Sequence, residues 1–331
     1  MATLKDVAKL ACVDVSTVSR ALNNTSYVHP ETKKKIYAAA KELCYSPNIM
    51  AKALRQGKRH TIGIVVPRLH LTIFSEILQG IESKARQYGY STIICVTDDN
   101  SKIEKECLNR LRNGFIDGII IAPVGKNSHL IRDIKAGGIS VVQLIRKQDQ
   151  GISSIISDYE KCAYDAVNYL YDRGCRNIGL IAGSQHLSTF KGRYDGYHKA
   201  ICKLGLEEYL SECSYTVNSF EYGYECTCKL IDSTDSLDAI IVCVDVQGLG
   251  AMRALKEQGI SLSQIKVISL TGHSIGEMLQ TTMTSLEIPA NEMGEKAAMM
   301  IIEDIESPSD NKPSTQHLVF TSTLVEREST M

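Results

Sequence analysis

The sequence predicts an α/β protein in which a small all-helical head precedes two lobes of doubly wound α/β structure. Three observations predict this class: positive charge is concentrated at the amino-terminal end, apolar residues there recur at helical spacing, and short apolar runs then alternate with amphipathic segments. The predicted organisation is a head at 1–46, a hinge helix and linker at 47–60, and a larger body at 61–331.

The charge of the chain is unevenly distributed. Residues 1–60 contain eleven lysines and arginines and four aspartates and glutamates, a formal charge of +7. Because the whole chain carries −1, residues 61–331 carry −8. A basic head on an acidic body is typical of a protein whose head meets the phosphates of nucleic acid. A merely solvated basic surface is the alternative that charge alone leaves open.

The head is predicted to contain three helices. Thr3 caps a first helix from Leu4 to about Ala11, and Asp6 stands where a capping box needs an acceptor. A break at 12–14 separates it from a second helix, and a third helix begins at about Pro30, a residue that suits a first helical turn. Two helices joined by a tight turn and braced by a third form a helix-turn-helix unit.

The second helix, DVSTVSRALNN at residues 14–24, combines an inward apolar face with small hydroxyl side chains on its outer face. Short side chains let a helix backbone approach DNA closely, and Arg20 can take guanine O6 and N7 in a bidentate contact. A purely structural three-helix unit is the alternative. The DNA contacts predicted for the head are Thr3, Val15, Ser16, Thr17, Ser19, Arg20, Asn23, Tyr45 and Ser46.

The run TLKDVAKLACVDVSTVSRALNN, followed by ETKKKIYAAAKELCYSPNIMAKALRQGK, resembles the LacI/GalR (lactose-repressor) family of bacterial transcription regulators. The resemblance covers the whole head without a gap and implies a repressor that reads a palindromic operator as a homodimer. Cys12 stands where the family commonly has glycine or asparagine, and Asp14 where it commonly has serine. Asp14 places a negative charge near the DNA backbone, which argues against a phosphate contact there.

The hinge segment, 47–60, allows only two helical turns between Ile49 and Arg55, too few to be stable alone in water. We therefore expect its folding to be coupled to DNA binding. The resemblance implies that two hinge helices enter the minor groove, with Leu54 as the apolar wedge that opens a base step. It further implies that Ala51 allows close helix approach and that Arg55 supports the backbone contact. A plain linker role is the alternative for Leu54.

The body shows two sets of apolar runs that are predicted to be parallel strands. They lie at 62–67, 91–97, 117–123 and 140–145, and then at 177–183, 212–217, 238–244 and 265–271. Two such sets predict two lobes. Ligands of open α/β sheets bind at the carboxyl ends of the strands, so the cleft between the lobes is the expected pocket.

YDRGCRNIGLIAG, GRYDGYHKA and VDVQGLGAMRALKEQGI resemble the effector domain of the same family, a two-lobed fold similar to periplasmic sugar-binding proteins. The chain of that fold crosses between the lobes three times, so each lobe is discontinuous. The resemblance implies a first lobe of about 61–157 plus 288–315. It implies a second lobe of about 158–287 plus 316–331.

The resemblance places an effector-binding arginine at Arg193, whose guanidinium can fork two sugar hydroxyls. A surface salt bridge is the alternative. Phe74 and Phe220 align with family pocket positions and offer flat faces for a pyranose ring, although either alone also suits a core. Asp158 is suited to accept a sugar hydroxyl or to play a structural part. The predicted effector contacts are Ile73, Phe74, Asp158, Thr189, Arg193, Phe220, Asp245 and Thr271.

At three positions this pocket departs from residues common in the family, and these departures make it less acidic than expected for a monosaccharide receptor. Thr271 and Ile145 stand where many members carry aspartate, and Val244 where some carry asparagine. SLTGHSIGEM and MTSLEIPANEMGEKAA resemble repressors of sucrose or α-glucoside operons. Whether the ligand releases DNA or tightens binding stays open, as do a corepressor and gating by a phosphorylated carrier protein.

Three motifs of reaction centres are absent, GxGxxG after the first strand, GxxxxGK[ST] and HExxH, and GxSxG occurs once, as GHSIG at 272–276. We therefore expect no enzyme, no cofactor and no metal, with the eleven scattered cysteines reduced. No signal peptide or membrane span is predicted, so we expect a cytoplasmic protein. No leucine heptad tail follows TSTLVERESTM, which favours a dimer over a tetramer.

Overall fold

The computed structural model describes residues 2–23, 26–45, 59–114, 116–234, 236–308 and 312–331. The chain divides into two compact units, Met1–Arg59 and His60–Met331. The predicted fold class is confirmed: a helical amino-terminal unit is followed by an α/β unit with two sheets. Most of the predicted hinge lies outside the described residues.

The first unit contains helices α1 (Leu4–Leu10), α2 (Val15–Asn23) and α3 (Pro30–Glu42). Its small core is built around one fully buried branched side chain from each helix, Val7, Val18 and Ile36. The capping box predicted at Thr3 is present, since the Asp6 amide donates to Thr3 Oγ1 and the Thr3 amide donates to Asp6 Oδ2. Alanines fill the remaining core, which lets three short helices approach closely.

The first lobe of the second unit is a six-stranded parallel sheet with helices on both faces. Its elements are β1 (Thr61–Val66), α4 (Thr72–Gln87), β2 (Ser91–Val96), α5 (Ser101–Asn113), β3 (Gly118–Ile121), α6 (Ser128–Ala136), β4 (Ser140–Leu144), β5 (Ser154–Ser157), α12 (Ala290–Glu306) and β11 (His317–Phe320). The strand order is β11-β5-β4-β3-β1-β2. Helices α4 and α12 approach so closely that a Cβ on Gly80 would lie 2.1 Å from the Asn291 carbonyl oxygen.

The second lobe repeats this plan with the strand order β12-β10-β9-β8-β6-β7, in which β12 alone runs antiparallel to its neighbour. Its elements are α7 (Tyr159–Asp172), β6 (Ile178–Ile181), α8 (Ser188–Leu204), β7 (Tyr209–Ser211), α9 (Phe220–Ser233), β8 (Ala239–Val242), α10 (Asp245–Glu257), β9 (Lys266–Gly272), α11 (Ser274–Glu277), β10 (Thr284–Glu287) and β12 (Thr323–Val325), with a 3₁₀ turn at Glu328–Thr330. The strand predicted at 212–217 is wrong, because β7 ends at Ser211.

The chain crosses between the lobes three times. The first crossing follows β5 at residue 158, the second lies between β10 and α12 at 288–289, and the third lies between β11 and β12 at 321–322. The expected third crossing at 315–316 is wrong. Residues 317–320 instead form an edge strand of the first sheet, where β11 pairs in parallel with β5.

Candidate functional site

The outer face of α2 presents the residues predicted to read DNA. Val15, Ser16 and Arg20 are exposed, and Thr17 and Ser19 are half-buried. Val18 and Ala21 on the opposite face lie in the core. The helix therefore offers short side chains and one guanidinium to solvent, as the sequence predicted, and the base and phosphate contacts themselves stay predictions.

The other predicted DNA contacts have mixed surroundings. The Thr3 hydroxyl donates to Asp6 Oδ2 at 2.7 Å, and the hydrogen bonds from Thr3 lower the pKa of the Asp6 carboxyl. The side-chain Nδ2 of Asn23 donates to the Ser19 carbonyl at 2.8 Å. Tyr45 packs against the helical core. The remaining predicted contacts lie outside the described residues: Ser46, Ala51, Leu54 and Arg55.

A small cavity lies between the two lobes at the carboxyl ends of their strands. The first lobe contributes the loops that follow β1 and β4, and the second contributes the starts of α7 and α8, the segment before α9 and the end of β9. We call this cavity the cleft; its lining residues are Leu71, Ile73, Phe74, Ile145, Arg146, Tyr159, Thr189, Phe190, Arg193, Asn218, Val244 and Thr271. Five predicted effector contacts are therefore brought together: Ile73, Phe74, Thr189, Arg193 and Thr271.

Arg193 extends from α8 into the cleft and is only 4 % exposed. Its Nη2 donates to the hydroxyl of Thr271, and its Nε is buried without a hydrogen-bond partner in the described part of the chain. The guanidinium carbon lies 4.9 Å from the ring centre of Tyr159 and 5.8 Å from that of Phe190. Two aromatic faces thus hold the cation in place and leave a donor available to a ligand.

Arg146 enters the same cleft from the first lobe. It directly follows Ile145, whose φ of 65° is a left-handed conformation that a β-branched residue rarely adopts. The Tyr159 hydroxyl donates to the Ile145 carbonyl at 3.1 Å and so helps to hold this strained turn. Arg146 Nη1 contacts Asp99 Oδ1 at 2.5 Å, while its Nε is buried without a partner among the described residues. Strain at such a position is typical of functional sites.

A second small cavity adjoins the cleft and shares Leu71, Ile73, Val244 and Thr271 with it. Asp245 lines this neighbouring cavity. Burial raises the pKa of the Asp245 carboxyl to about 7, against the lowering effect of a hydrogen bond from Ser269. The side chain predicted to meet an effector is therefore near the site, although it lies beside the cleft.

The two lobes are also joined by a hydrogen bond that the sequence did not suggest. Glu76 on α4 of the first lobe lies 3.0 Å from Nδ1 of His273, which follows β9 in the second lobe. Burial lowers the pKa of the His273 imidazole, and the Glu76 carboxylate opposes that effect. The contact stabilises this arrangement of the lobes.

Besides Asp245, two further predicted effector contacts do not line the cleft. The Asp158 carboxylate accepts from the Lys161 amide at 2.9 Å and so caps α7, in a surface groove formed with Lys161 and Lys199. Phe220 is 37 % exposed at the start of α9 and stacks on Tyr224 with ring centres 6.4 Å apart. Neither residue lines this cavity, because the Asp158 side chain caps a helix and the Phe220 ring faces outward, and their contact with an effector stays a prediction.

Sequence reasoning missed four polar or aromatic residues that line the cleft: Arg146, Tyr159, Phe190 and Asn218. Each lies at the carboxyl end of a strand or the start of a following helix, so the general rule for α/β sheets was the available signal. Asn218 Oδ1 is buried and has no partner in the described residues.

A helix-turn-helix unit joined to a two-lobed α/β unit with a cleft defines the class of ligand-responsive DNA-binding regulators. Family models match both units: residues 3–48 match bacterial regulatory proteins of the lacI family, and residues 59–327 match periplasmic binding proteins and the sugar binding domain of the LacI family. The chain belongs to the LacI family of bacterial regulatory proteins.

Similar proteins are transcriptional regulators over their whole length. The chain is 32 % identical to the HTH-type transcriptional regulator RegA of Clostridium acetobutylicum, covering 99 % of each protein. It is 31 % identical to the HTH-type transcriptional repressor PurR of Pasteurella multocida, covering 94 % of each. A crystal structure of the Lac repressor dimer bound to operator and the anti-inducer ONPF superposes with a TM-score of 0.86 at 25 % identity, covering 100 % of this chain and 99 % of that one.

No described helix combines the length and apolar character needed to cross a membrane. No group of three or more histidine, cysteine, aspartate or glutamate side chains there is arranged to hold a metal ion.

Proposed function

We propose that this protein is a cytoplasmic, homodimeric repressor of a carbohydrate-utilisation operon. It binds a palindromic operator, and a small sugar or sugar phosphate bound in the cleft controls its affinity for that operator. The observation that carries the proposal is that one cavity takes Ile73, Phe74 and Arg146 from the first lobe and Thr189 and Arg193 from the second. A ligand there touches both lobes at once. Family membership supports the DNA-binding half of the proposal.

The chemistry of the cleft suits a carbohydrate. Phe74, Phe190 and Tyr159 supply flat apolar faces, while Arg193, Thr189 and Asn218 supply donors and acceptors for hydroxyl groups. A repressor of the sucrose or α-glucoside type is the finer proposal, and it rests on the resemblance of SLTGHSIGEM and MTSLEIPANEMGEKAA.

Control of DNA binding requires that the ligand prefers one arrangement of the lobes. A ligand with equal affinity for both arrangements does not shift the equilibrium between them, however tightly it binds. Because the cleft is lined from both lobes, the ligand contacts made there depend on the lobe arrangement. A coupling free energy of about 1–3 kcal/mol, the usual allosteric range, changes operator affinity roughly 5- to 150-fold.

The test begins by selecting duplexes from a randomised library with the full-length protein and measuring affinity by fluorescence anisotropy with and without sugars. The panel holds sucrose, maltose, trehalose, glucose and glucose 6-phosphate. We expect an inverted repeat to be selected and at least one compound to change its affinity. Arg193→Ala removes the buried guanidinium and should abolish this change. Arg253→Ala, which removes an exposed arginine on α10, should preserve it.

Two results would contradict the proposal. The first is failure of the wild-type protein to select any inverted repeat at modest ionic strength. The second is a sugar response in Arg193→Ala equal to that of the wild type. Circular dichroism of both variants shows whether the second unit is folded, so that a lost response is assigned to the cleft.

A further inference from the structure

The cleft contains a buried positive charge that the described residues do not neutralise. Arg193 takes part in none of the ion pairs between described side chains, although seven other arginines do. Its hydrogen-bond acceptor is the Thr271 hydroxyl, which itself donates a hydrogen bond to the Cys243 carbonyl at 3.0 Å. A guanidinium stays protonated in proteins, so this buried cation is held by neutral groups.

The neighbouring acids do not supply the missing charge. Asp245 lies in the adjoining cavity and bonds to Ser269, and burial keeps much of its carboxyl protonated near neutral pH. Glu76 is engaged with His273 on that same side. The residues that line the cleft include two arginines and no carboxylate.

The first lobe adds to the positive character of the cleft. Asp99 meets Arg146 at 2.5 Å and also Arg68 at 3.7 Å, so one carboxylate serves two guanidinium groups. Glu104 lies close enough to affect Arg146, but its oxygens accept hydrogen bonds from the Val124 amide and the Asn127 side chain. Arg146 Nε is left without a partner in the described residues, as Arg193 Nε is.

We propose that the ligand of this cleft is an anionic carbohydrate, a sugar phosphate or sugar acid, whose phosphate or carboxylate is the counter-ion of Arg193. Charge-assisted bonds from the two unpaired Nε donors bind the anionic group. The unpaired Asn218 Oδ1 accepts from a hydroxyl of the sugar. The inference rests on the proposed function, since it names the ligand class of the same site.

The first experiment needs no knowledge of the ligand. Thr271→Asp places a carboxylate beside Arg193, whereas Thr271→Asn has nearly the same shape without the charge. Without ligand, we expect the melting temperature of the Asp variant to exceed that of the Asn variant by at least about 2 °C at pH 7.5. Most of the difference should persist in high salt, because salt screens a buried ion pair only weakly. An Asn variant as stable as the Asp variant overturns the inference, because Arg193 then needs no counter-ion.

The second experiment compares matched probes on the full-length wild-type protein and on Thr271→Asp. The probes are inorganic phosphate, glucose 6-phosphate and glucose, each at the same ionic strength set with sodium chloride. We expect the two phosphates to raise the melting temperature of the wild type above chloride and glucose, and Thr271→Asp to lose at least tenfold in apparent affinity for them. Phosphates that act no better than chloride and glucose overturn the inference.

Operator binding separates this failure from failure of the proposed function. If the wild-type protein selects an inverted repeat and only uncharged sugars change its operator affinity, the proposed function is supported and the inference about an anionic ligand is contradicted. If the protein binds phosphates in the cleft but selects no duplex, the inference about the anionic ligand is supported and the proposed function as a regulator is contradicted.

Discussion

At the scale of single residues, Asp245 is an acid whose ionised form the fold disfavours. It is 6 % exposed, and burial raises its pKa to about 7, whereas the unfolded chain ionises near 3.8. Glu287 and Glu76 add to the raising effect, and Arg327 opposes it. Between these two pKa values the folded protein holds a proton that the unfolded chain has released. Stability therefore falls as the pH rises from about 4 to about 7.

Asp245→Asn removes this dependence, because the amide stays neutral and its oxygen still accepts from Ser269. We expect the variant to be more stable than the wild type by roughly 2–4 kcal/mol at pH 8, with the gain shrinking towards zero near pH 4. Urea denaturation at several pH values measures it. Asp133→Asn, at an exposed position on α6, is the control and should change little. A gain that is equal at pH 5 and pH 8 would show that Asp245 does not titrate in this range.

At the scale of elements, helix α2 uses one face to pack against the head and the opposite face for the predicted DNA contacts. Val18 and Ala21 hold the helix to the head, and Arg20 stands exposed in its last turn. A guanidinium that reads guanine contributes about 1–3 kcal/mol of base discrimination, whereas a phosphate contact contributes equally on every sequence.

Arg20→Ala should therefore change which half-site is preferred, with a loss of about 10- to 100-fold confined to duplexes that carry the contacted base. Competition binding against a library of half-site variants measures this. Lys35→Ala, at an exposed position on α3, is the control and should leave the ranking of sequences unchanged. A uniform loss on all sequences for Arg20→Ala would assign it to phosphate contact alone.

The elements also show what the sequence could predict. Buried parallel strands are continuous apolar runs, so seven of the eight predicted strands coincide with observed ones. The strand β7 was misplaced because its three residues, Tyr209–Ser211, include an exposed leucine at an edge and form no such run. The strand β11 was missed for the same reason, because exposed and half-buried residues alternate along it. Its residues were therefore assigned to the wrong lobe.

The cleft was predicted less completely than the strands. Arg193, Phe74 and Thr271 were found through a resemblance, and helical or strand periodicity would not have separated them from core residues. Phe220 and Asn218 are two residues apart, yet Asn218 lines the cleft and Phe220 faces outward. Which side chain of a short segment turns inward depends on the loop conformation, and a pattern of residue types does not specify it.

At the scale of the whole molecule, a head that covers one half-site implies a two-fold assembly to read a palindrome. The first lobe offers a surface for it. Its edge strand β2 leaves Ile93 and Ile94 exposed at 42 % and 47 %, with Tyr88 exposed just before them. Natural proteins seldom leave an apolar edge uncovered, because such edges aggregate. A second copy of this chain is the partner that the proposed function requires.

Ile94→Lys should disrupt that dimer, because it buries a charge in the middle of the interface. We expect sedimentation to show a monomer at micromolar concentration and operator affinity to fall roughly 100-fold or more, since a monomer loses the gain from two linked contacts. Val319→Lys changes a residue 57 % exposed on β11, at the opposite edge of the same sheet, and should remain dimeric. If Ile94→Lys stays dimeric with unchanged operator affinity, the subunits meet through another surface and β2 is covered in some other way.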